Sequence, residues 1–95
     1  MTITCIAILQ YDDDGICVSF PDFPVCNTCG YSFNEAIIMA KGALELGLHG
    51  VPILDELSFI KLSDISLLPN QEAVAISIDM DIQNGFYFSP NVISL

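Results

Sequence analysis

The sequence predicts a single α+β domain in which one main helix packs on a face of a small, mostly antiparallel sheet. Three features indicate this class: two strand-like stretches joined by an acidic turn, one capped amphipathic helix, and one strictly alternating strand over residues 73–82. Ninety-five residues are enough for one domain with one hydrophobic core.

Residue composition and the two-residue alternation of side chains predict the first two strands. Residues 2–11 (TITCIAILQY) are rich in Ile and Thr and carry no charge, which favours a strand buried on most of both faces. Residues 12–15 (DDDG) predict a turn, because Asp side chains bond their own backbone and Gly accepts positive φ. Residues 16–20 (ICVSF) alternate larger and smaller side chains, so they predict a second strand antiparallel to the first.

Two prolines, Pro21 and Pro24, end this pairing because proline lacks the N–H that a sheet requires. A short third strand is expected around Val25 to Gly30, just before the helix.

The helix has clear signals at both ends. Residues 32–35 (SFNE) form a capping box, in which the serine hydroxyl accepts a backbone amide and the glutamate reaches back. Gly50 followed by Pro52 predicts the C-terminal end. Spacings of three and four predict one buried stripe, made of Phe33, Ile37, Ala40, Leu44 and Leu48.

The last third of the chain contains one confident strand. Residues 51–70 are expected to be irregular, with a short helical turn around 63–68. Alternation then predicts a half-buried strand, whose apolar face is Val74, Ile76, Ile78, Met80 and Ile82. The domain is expected to span residues 1–82, with 83–95 a short edge strand or loose tail and no DNA-binding domain.

Charge restricts the class of partner. Twelve acidic residues against two lysines and no arginine give a net charge of −10. Binding to nucleic acid draws on Lys and Arg that neutralise phosphates, so direct binding of DNA or RNA is not expected. Complementary fields favour a basic partner. The alternative interpretation is that the acidity only keeps an apolar domain soluble.

No stretch of the sequence predicts a membrane span, since none approaches about 18 consecutive apolar residues. Residues 1–9 lack the basic start and the small-residue cleavage site of a signal peptide. A cytoplasmic protein that does not contact membranes is therefore expected.

The four cysteines could carry chemistry, because Cys26 and Cys29 form a C-x-x-C pair. A structural zinc site needs four ligands, and the remaining candidates, Cys5, Cys17 and His49, have no motif spacing. A redox pair would place its first cysteine at a helix N-terminus, and the predicted helix begins further along the chain. Reduced, buried or half-buried thiols without metal or cofactor are favoured.

Two further candidates have structural explanations. His49 in the last helical turn is typical of a residue placed by the helix dipole rather than a catalytic base. The acidic run 12–14 is not an EF-hand, because Phe23 occupies the position where that loop needs a glutamate.

A family resemblance appears in the segment 11–26 (YDDDGICVSFPDFPVC), followed by 28–30 (TCG) and 32–36 (SFNEA). It resembles the N-terminal domain of HicB-like antitoxins. The departures are Phe23 in place of leucine, Val25 in place of the usual glycine, and Cys29 where the family is usually polar. The resemblance covers roughly residues 3–82. It implies a degenerate ribonuclease-H-like fold without nuclease activity, and a basic HicA-like toxin as partner. Such a toxin has a double-stranded-RNA-binding fold and cleaves messenger RNA with a histidine.

The expected function is therefore that of an antitoxin-type binding protein, not an enzyme, that covers the active site of the toxin. Partner contacts are expected at Asp12, Asp13, Asp14, Asp22 and Phe23.

Two alternatives to the antitoxin stay open, a vestigial ribonuclease-H-like nuclease and a self-associating module without a toxin. The nuclease is disfavoured, because two-metal catalysis needs clustered carboxylates and Ile3–Leu9 has none. A homo-oligomer is expected. Family members commonly continue into a DNA-binding module, whereas residues 83–95 contain no basic group.

Overall fold

The computed structural model describes residues 1–24, 26–53 and 62–91. Their main elements are β1 (Thr2–Asp12), β2 (Gly15–Ser19), β3 (Thr28–Gly30), α1 (Phe33–Leu48), β4 (Gln71–Asp79), β5 (Asp81–Gln83) and β6 (Phe86–Phe88). Strands β1 to β4 form one antiparallel sheet in the order β3-β2-β1-β4, and β5 pairs with β6 separately. Helix α1 packs on one face of the larger sheet. The predicted α+β class, with one main helix on a mostly antiparallel sheet, is confirmed.

The β1–β2 hairpin has the predicted turn. Asp12 pairs with Gly15, so Asp13 and Asp14 form a two-residue connection. Gly15 has a φ of +149°, a conformation that residues with a Cβ rarely adopt.

The prediction that residues 2–11 are buried on most of both faces holds for one face only. The odd-numbered residues, from Ile3 to Leu9, point towards α1 and are buried. On the opposite face Thr4 is exposed, while Ile6 and Ile8 are only half-buried. Helix α1 covers one face of the sheet and cannot bury both sides of a strand whose side chains alternate.

The buried face of α1 agrees with the predicted stripe at Ala40, Leu44 and Leu48 and differs from it towards the start of the helix. Its buried residues are Ala36, Ala40, Leu44 and Leu48. Phe33 is exposed and Ile37 is only partly buried. The small alanines face the sheet where β3 ends in Gly30, and a Cβ built on that glycine would lie 2.6 Å from the Ala36 backbone nitrogen. This close approach turns the alanine side of the helix inward.

The N-terminal cap of α1 forms as predicted. The Ser32 hydroxyl accepts a hydrogen bond from the Glu35 amide at 3.2 Å. The Glu35 carboxylate in turn accepts one from the amide of Tyr31, the residue before the cap, at 3.3 Å. Two backbone donors near the start of the helix are thereby satisfied.

Replacing Ser32 with Ala should lower the free energy of unfolding by about 0.5–2 kcal/mol, because the Glu35 amide loses its acceptor. Urea unfolding followed by circular dichroism measures the loss. The matched control is Ser32→Asn, which keeps a capping oxygen and should stay close to wild type. An equal loss in both variants would mean that the cap contributes nothing.

The C-terminal end of α1 contacts the β5–β6 hairpin. His49 caps the helix, and Gly50 follows at a φ of +80°, as the predicted end requires. The Ser89 amide donates to His49 Nδ1 at 3.1 Å, and the Gly50 amide donates to Tyr87 O at 2.6 Å. Because Tyr87 and Ser89 are buried, the described part of the expected tail is an integral piece of the domain.

The predicted strand over 73–82 is divided in the structure. Strand β4 ends at Asp79, and its inner face buries Ile76 and Ile78, as expected. The chain then turns at Met80 into β5, where Ile82 is exposed rather than buried. The pairing partner changes at this point from β1 to β6, so the alternation no longer refers to one sheet face.

Three smaller expectations have mixed outcomes. The third strand is limited to β3, and Val25 lies outside the described residues. The helical turn expected around 63–68 is a 3-10 turn at Leu62–Asp64. No helix in the described ranges is long and apolar enough to cross a bilayer.

Candidate functional site

The acidic turn lies at one end of the larger sheet, together with a carboxylate from another strand. Asp12 ends β1, Asp13 and Asp14 form the turn, and all three are exposed. Glu72 joins this end because β4 pairs with β1 in a register that sets it opposite Leu9. Of the two lysines, Lys41 lies in the middle of α1, and Lys61 falls outside the described residues. This end therefore concentrates negative charge.

Hydrogen bonds orient two of these carboxylates. The Tyr11 hydroxyl donates to Glu72 Oε1 at 2.9 Å, and this bond is the main reason that the pKa of Tyr11 is raised. The Gln10 side-chain amide donates to Asp12 Oδ2 at 3.2 Å. Both donors are neutral, so neither bond places a positive charge beside these carboxylates.

Beside the turn lies an acidic cleft of about 270 Å³. Its walls are Asp14, Gly15, Ile16, Cys17, Cys29, Gly30, Tyr31 and Glu35. Asp14 and Glu35 line this cleft together with Tyr31, a residue that is 85% exposed. Carboxylates near an open aromatic face suit a Lys or Arg side chain, which can pair with the former and stack on the latter.

An apolar groove of about 520 Å³ runs along α1. Its lining residues are Asn27, Thr28, Ile38, Met39, Gly42, Ala43 and Leu46. Ile38 and Leu46 are 69% and 66% exposed, which is high for such large apolar side chains. The groove and the acidic cleft share no lining residue. Glu35 of the cleft and Ile38 of the groove lie one turn apart on α1, whereas Thr28 and Cys29 are consecutive in β3 and point to opposite faces of the sheet. The acidic cleft and the apolar groove are therefore two separate surface features, both of which involve α1.

Sequence reasoning missed this groove and the contribution of Glu72. The available signal for the groove was a set of apolar residues outside the predicted stripe, namely Ile38, Met39 and Leu46. Glu72 had no comparable signal, because its position depends on pairing with a strand about sixty residues earlier in the chain.

The five residues expected to contact a partner lie at two opposite ends of the sheet. Asp12, Asp13 and Asp14 stay together at the turn. Asp22 and Phe23 follow the opposite end of β2, so they lie at the other end of the sheet. Phe23 is partly buried against the core, and its amide donates to Phe20 O at 3.0 Å.

The C-x-x-C pair is also divided. Cys26 is buried, and burial raises its pKa, whereas Cys29 is exposed. Burial, with smaller contributions from Asp22 and Cys26, raises the pKa of Cys5 to about 12. Within the described ranges, no three His, Cys, Asp or Glu side chains are arranged to hold a metal ion.

No family model matches the chain, and no curated protein matches it.

Proposed function

We propose that this chain is an antitoxin-type binding protein, similar to HicB, that neutralises a small basic HicA-like toxin by covering its RNA-cleaving site. The observation that carries the proposal is that one small domain presents both an acidic cleft and an apolar groove, in a chain of net charge −10. The degenerate ribonuclease-H-like fold belongs to the same proposal, since it too follows from the HicB-like segment.

The acidic end supplies the attraction. A ribonuclease of this class must present basic groups to its RNA, and those groups are attracted to Asp12, Asp13, Asp14 and Glu72. Complementary charges accelerate the encounter and disfavour wrong partners. Groups engaged with these carboxylates can no longer hold RNA phosphates, so binding and inhibition have the same cause.

The apolar groove supplies the lasting contact. Surface charge pairs contribute only about 0–1 kcal/mol each, which is too little to hold a toxin inactive. Binding energy concentrates instead in well-packed residues that lose their water, surrounded by a polar rim. Ile38, Met39 and Leu46 can form such a centre, with Glu35 one helical turn before Ile38.

The direct test is co-purification of this chain from cells that carry its neighbouring genes, followed by RNA cleavage by any small basic protein recovered, with and without the chain. A stable complex in which cleavage stops is expected. If the two proteins remain separate on a sizing column at low salt and cleavage continues, the antitoxin proposal is wrong.

A homo-oligomer is a second candidate, supported by the open side of the sheet. Strand β4 is an edge strand of nine residues, and Ile6 and Ile8 lie half-buried on the face away from α1. Long edge strands are ready templates for pairing with another chain. Sedimentation of the purified chain tests this, and a tight oligomer that ignores basic partners would favour a self-associating module over an antitoxin.

Neutralising the acidic turn by Asp12→Asn/Asp13→Asn/Asp14→Asn should leave the fold intact and slow association with the toxin several-fold at low salt. Steering charges act mainly on the association rate. The difference from wild type should shrink as the salt concentration rises to about 0.5 M, where the Debye screening length is only a few ångströms. Stopped-flow or surface-based kinetics at several salt concentrations measures it.

A matched pair of variants separates local charge from net charge. Asp13→Asn/Asp14→Asn and Asp79→Asn/Asp81→Asn each remove two charges, but only the first pair lies beside the acidic cleft. The first should slow association more. Equal rates for both pairs would place the contact surface away from the turn.

A further inference from the structure

The two exposed cysteines, Cys17 and Cys29, lie directly opposite each other on neighbouring strands. They are register partners in the antiparallel pair β2–β3, and both line the acidic cleft, so their side chains share one face of the sheet. Both are free thiols. Cys26, which the C-x-x-C spacing pairs with Cys29, is buried instead.

The hydrogen-bond pattern shows which kind of pair they form. The Tyr11 amide donates a hydrogen bond to Asn70 O at 2.8 Å. Consecutive residues of a strand direct their backbone N–H and C=O groups to opposite neighbours. The odd-numbered residues of β1 therefore form backbone hydrogen bonds with β4, and the even-numbered residues form them with β2. Gln10 is the partner of Cys17, so the backbone groups of Cys17 point towards β1 and away from β3. Cys17 and Cys29 are therefore a non-hydrogen-bonded pair.

That kind of pair fits a disulfide. Opposed residues in non-hydrogen-bonded pairs have Cα atoms about 4.5 Å apart, with their side chains close together. Disulfides span Cα separations of about 4.4–6.8 Å, so the bond can form with little movement of the backbone. A bond between Cys26 and Cys29 would first require the buried side chain of Cys26 to move to the surface.

We propose that Cys17 and Cys29 form a redox modification site, a cross-strand dithiol that a low-molecular-weight disulfide such as oxidised glutathione converts to a disulfide. One protein thiol loses its proton, and the thiolate attacks a sulfur of the oxidant and releases one small thiolate. The second protein thiolate then attacks the mixed disulfide and releases the other. Two protein thiols are oxidised to one disulfide while the small disulfide is reduced to two thiols.

The other two cysteines are protected from this reaction. The thiolate is the attacking species, and the raised pKa values of Cys5 and Cys26 keep both groups protonated. Burial also denies the oxidant access to them. The new bond would tie the short edge strand β3 to β2 at the wall of the acidic cleft, and its formation does not depend on the proposed partner.

Reduced full-length protein treated anaerobically with oxidised glutathione, quenched with acid, tests the site. Intact mass should fall by two hydrogens, and peptide mapping should link Cys17 to Cys29. Cys17→Ser and Cys29→Ser should each lose the linked product completely and instead retain one glutathione, because no second thiol is opposite. Cys5→Ala is the control and should still give the Cys17–Cys29 link.

The peptide map of the wild-type protein decides the question even if a variant folds poorly. A Cys26–Cys29 link, a disulfide between two chains, or wild-type protein that stops at a glutathione adduct would each overturn the proposal.

Discussion

Replacing Leu44 with Ala should lower the free energy of unfolding by about 2–5 kcal/mol. Leu44 is fully buried in the middle of α1 and belongs to the same core cluster as Leu9, Phe20 and Ile76. Its truncation removes buried apolar surface and leaves a cavity between helix and sheet. Domains of this size are stable by only about 5–15 kcal/mol, so the variant should unfold at a clearly lower urea concentration.

The matched control is Leu46→Ala, which makes the same chemical change two residues away. Leu46 is 66% exposed, so its truncation should change stability by less than about 0.5 kcal/mol. Because Leu46 lines the apolar groove, it should nevertheless weaken binding to the proposed toxin. Equal losses of stability in the two variants would show that α1 faces the sheet in a different orientation.

Replacing Gly30 with Ala should cost about 1–3 kcal/mol of stability by overpacking the junction of β3 and α1. The added Cβ would lie 2.6 Å from the Ala36 nitrogen and 2.8 Å from its Cα. These are backbone atoms of the first helical turn, so no change of rotamer can relieve the contact. The strand and the helix must separate, which loosens the core around Ala36.

The control for this variant is Gly42→Ala in the middle of the same helix. A Cβ at Gly42 meets nothing within 4 Å, and alanine is favoured over glycine inside a helix by about 0.5–1 kcal/mol. The two Gly→Ala changes should therefore shift the thermal midpoint in opposite directions. If Gly30→Ala has the same thermal midpoint as the wild type, the close approach of β3 to α1 is absent in solution.

Local signals determined the parts of the fold that depend on neighbours in the chain. The acidic turn before Gly15, the cap at Ser32 and the helix end at Gly50 were all predicted from a few adjacent residues and are present in the structure. The same holds for the buried face of β4. Each of these features is set by backbone conformation or side-chain period within one element, and tertiary packing did not override it.

Tertiary structure decided which elements and faces meet. In the first turns of α1, Ala36 rather than Phe33 faces the sheet because Gly30 permits a close approach, whereas helical spacing alone allowed either residue. Cys29 meets Cys17 rather than Cys26 because strand register selects partners. Glu72 reaches the acidic end for the same reason. A period of two specifies which side chains share a face, but the partner across the strand depends on a register between residues far apart in the chain.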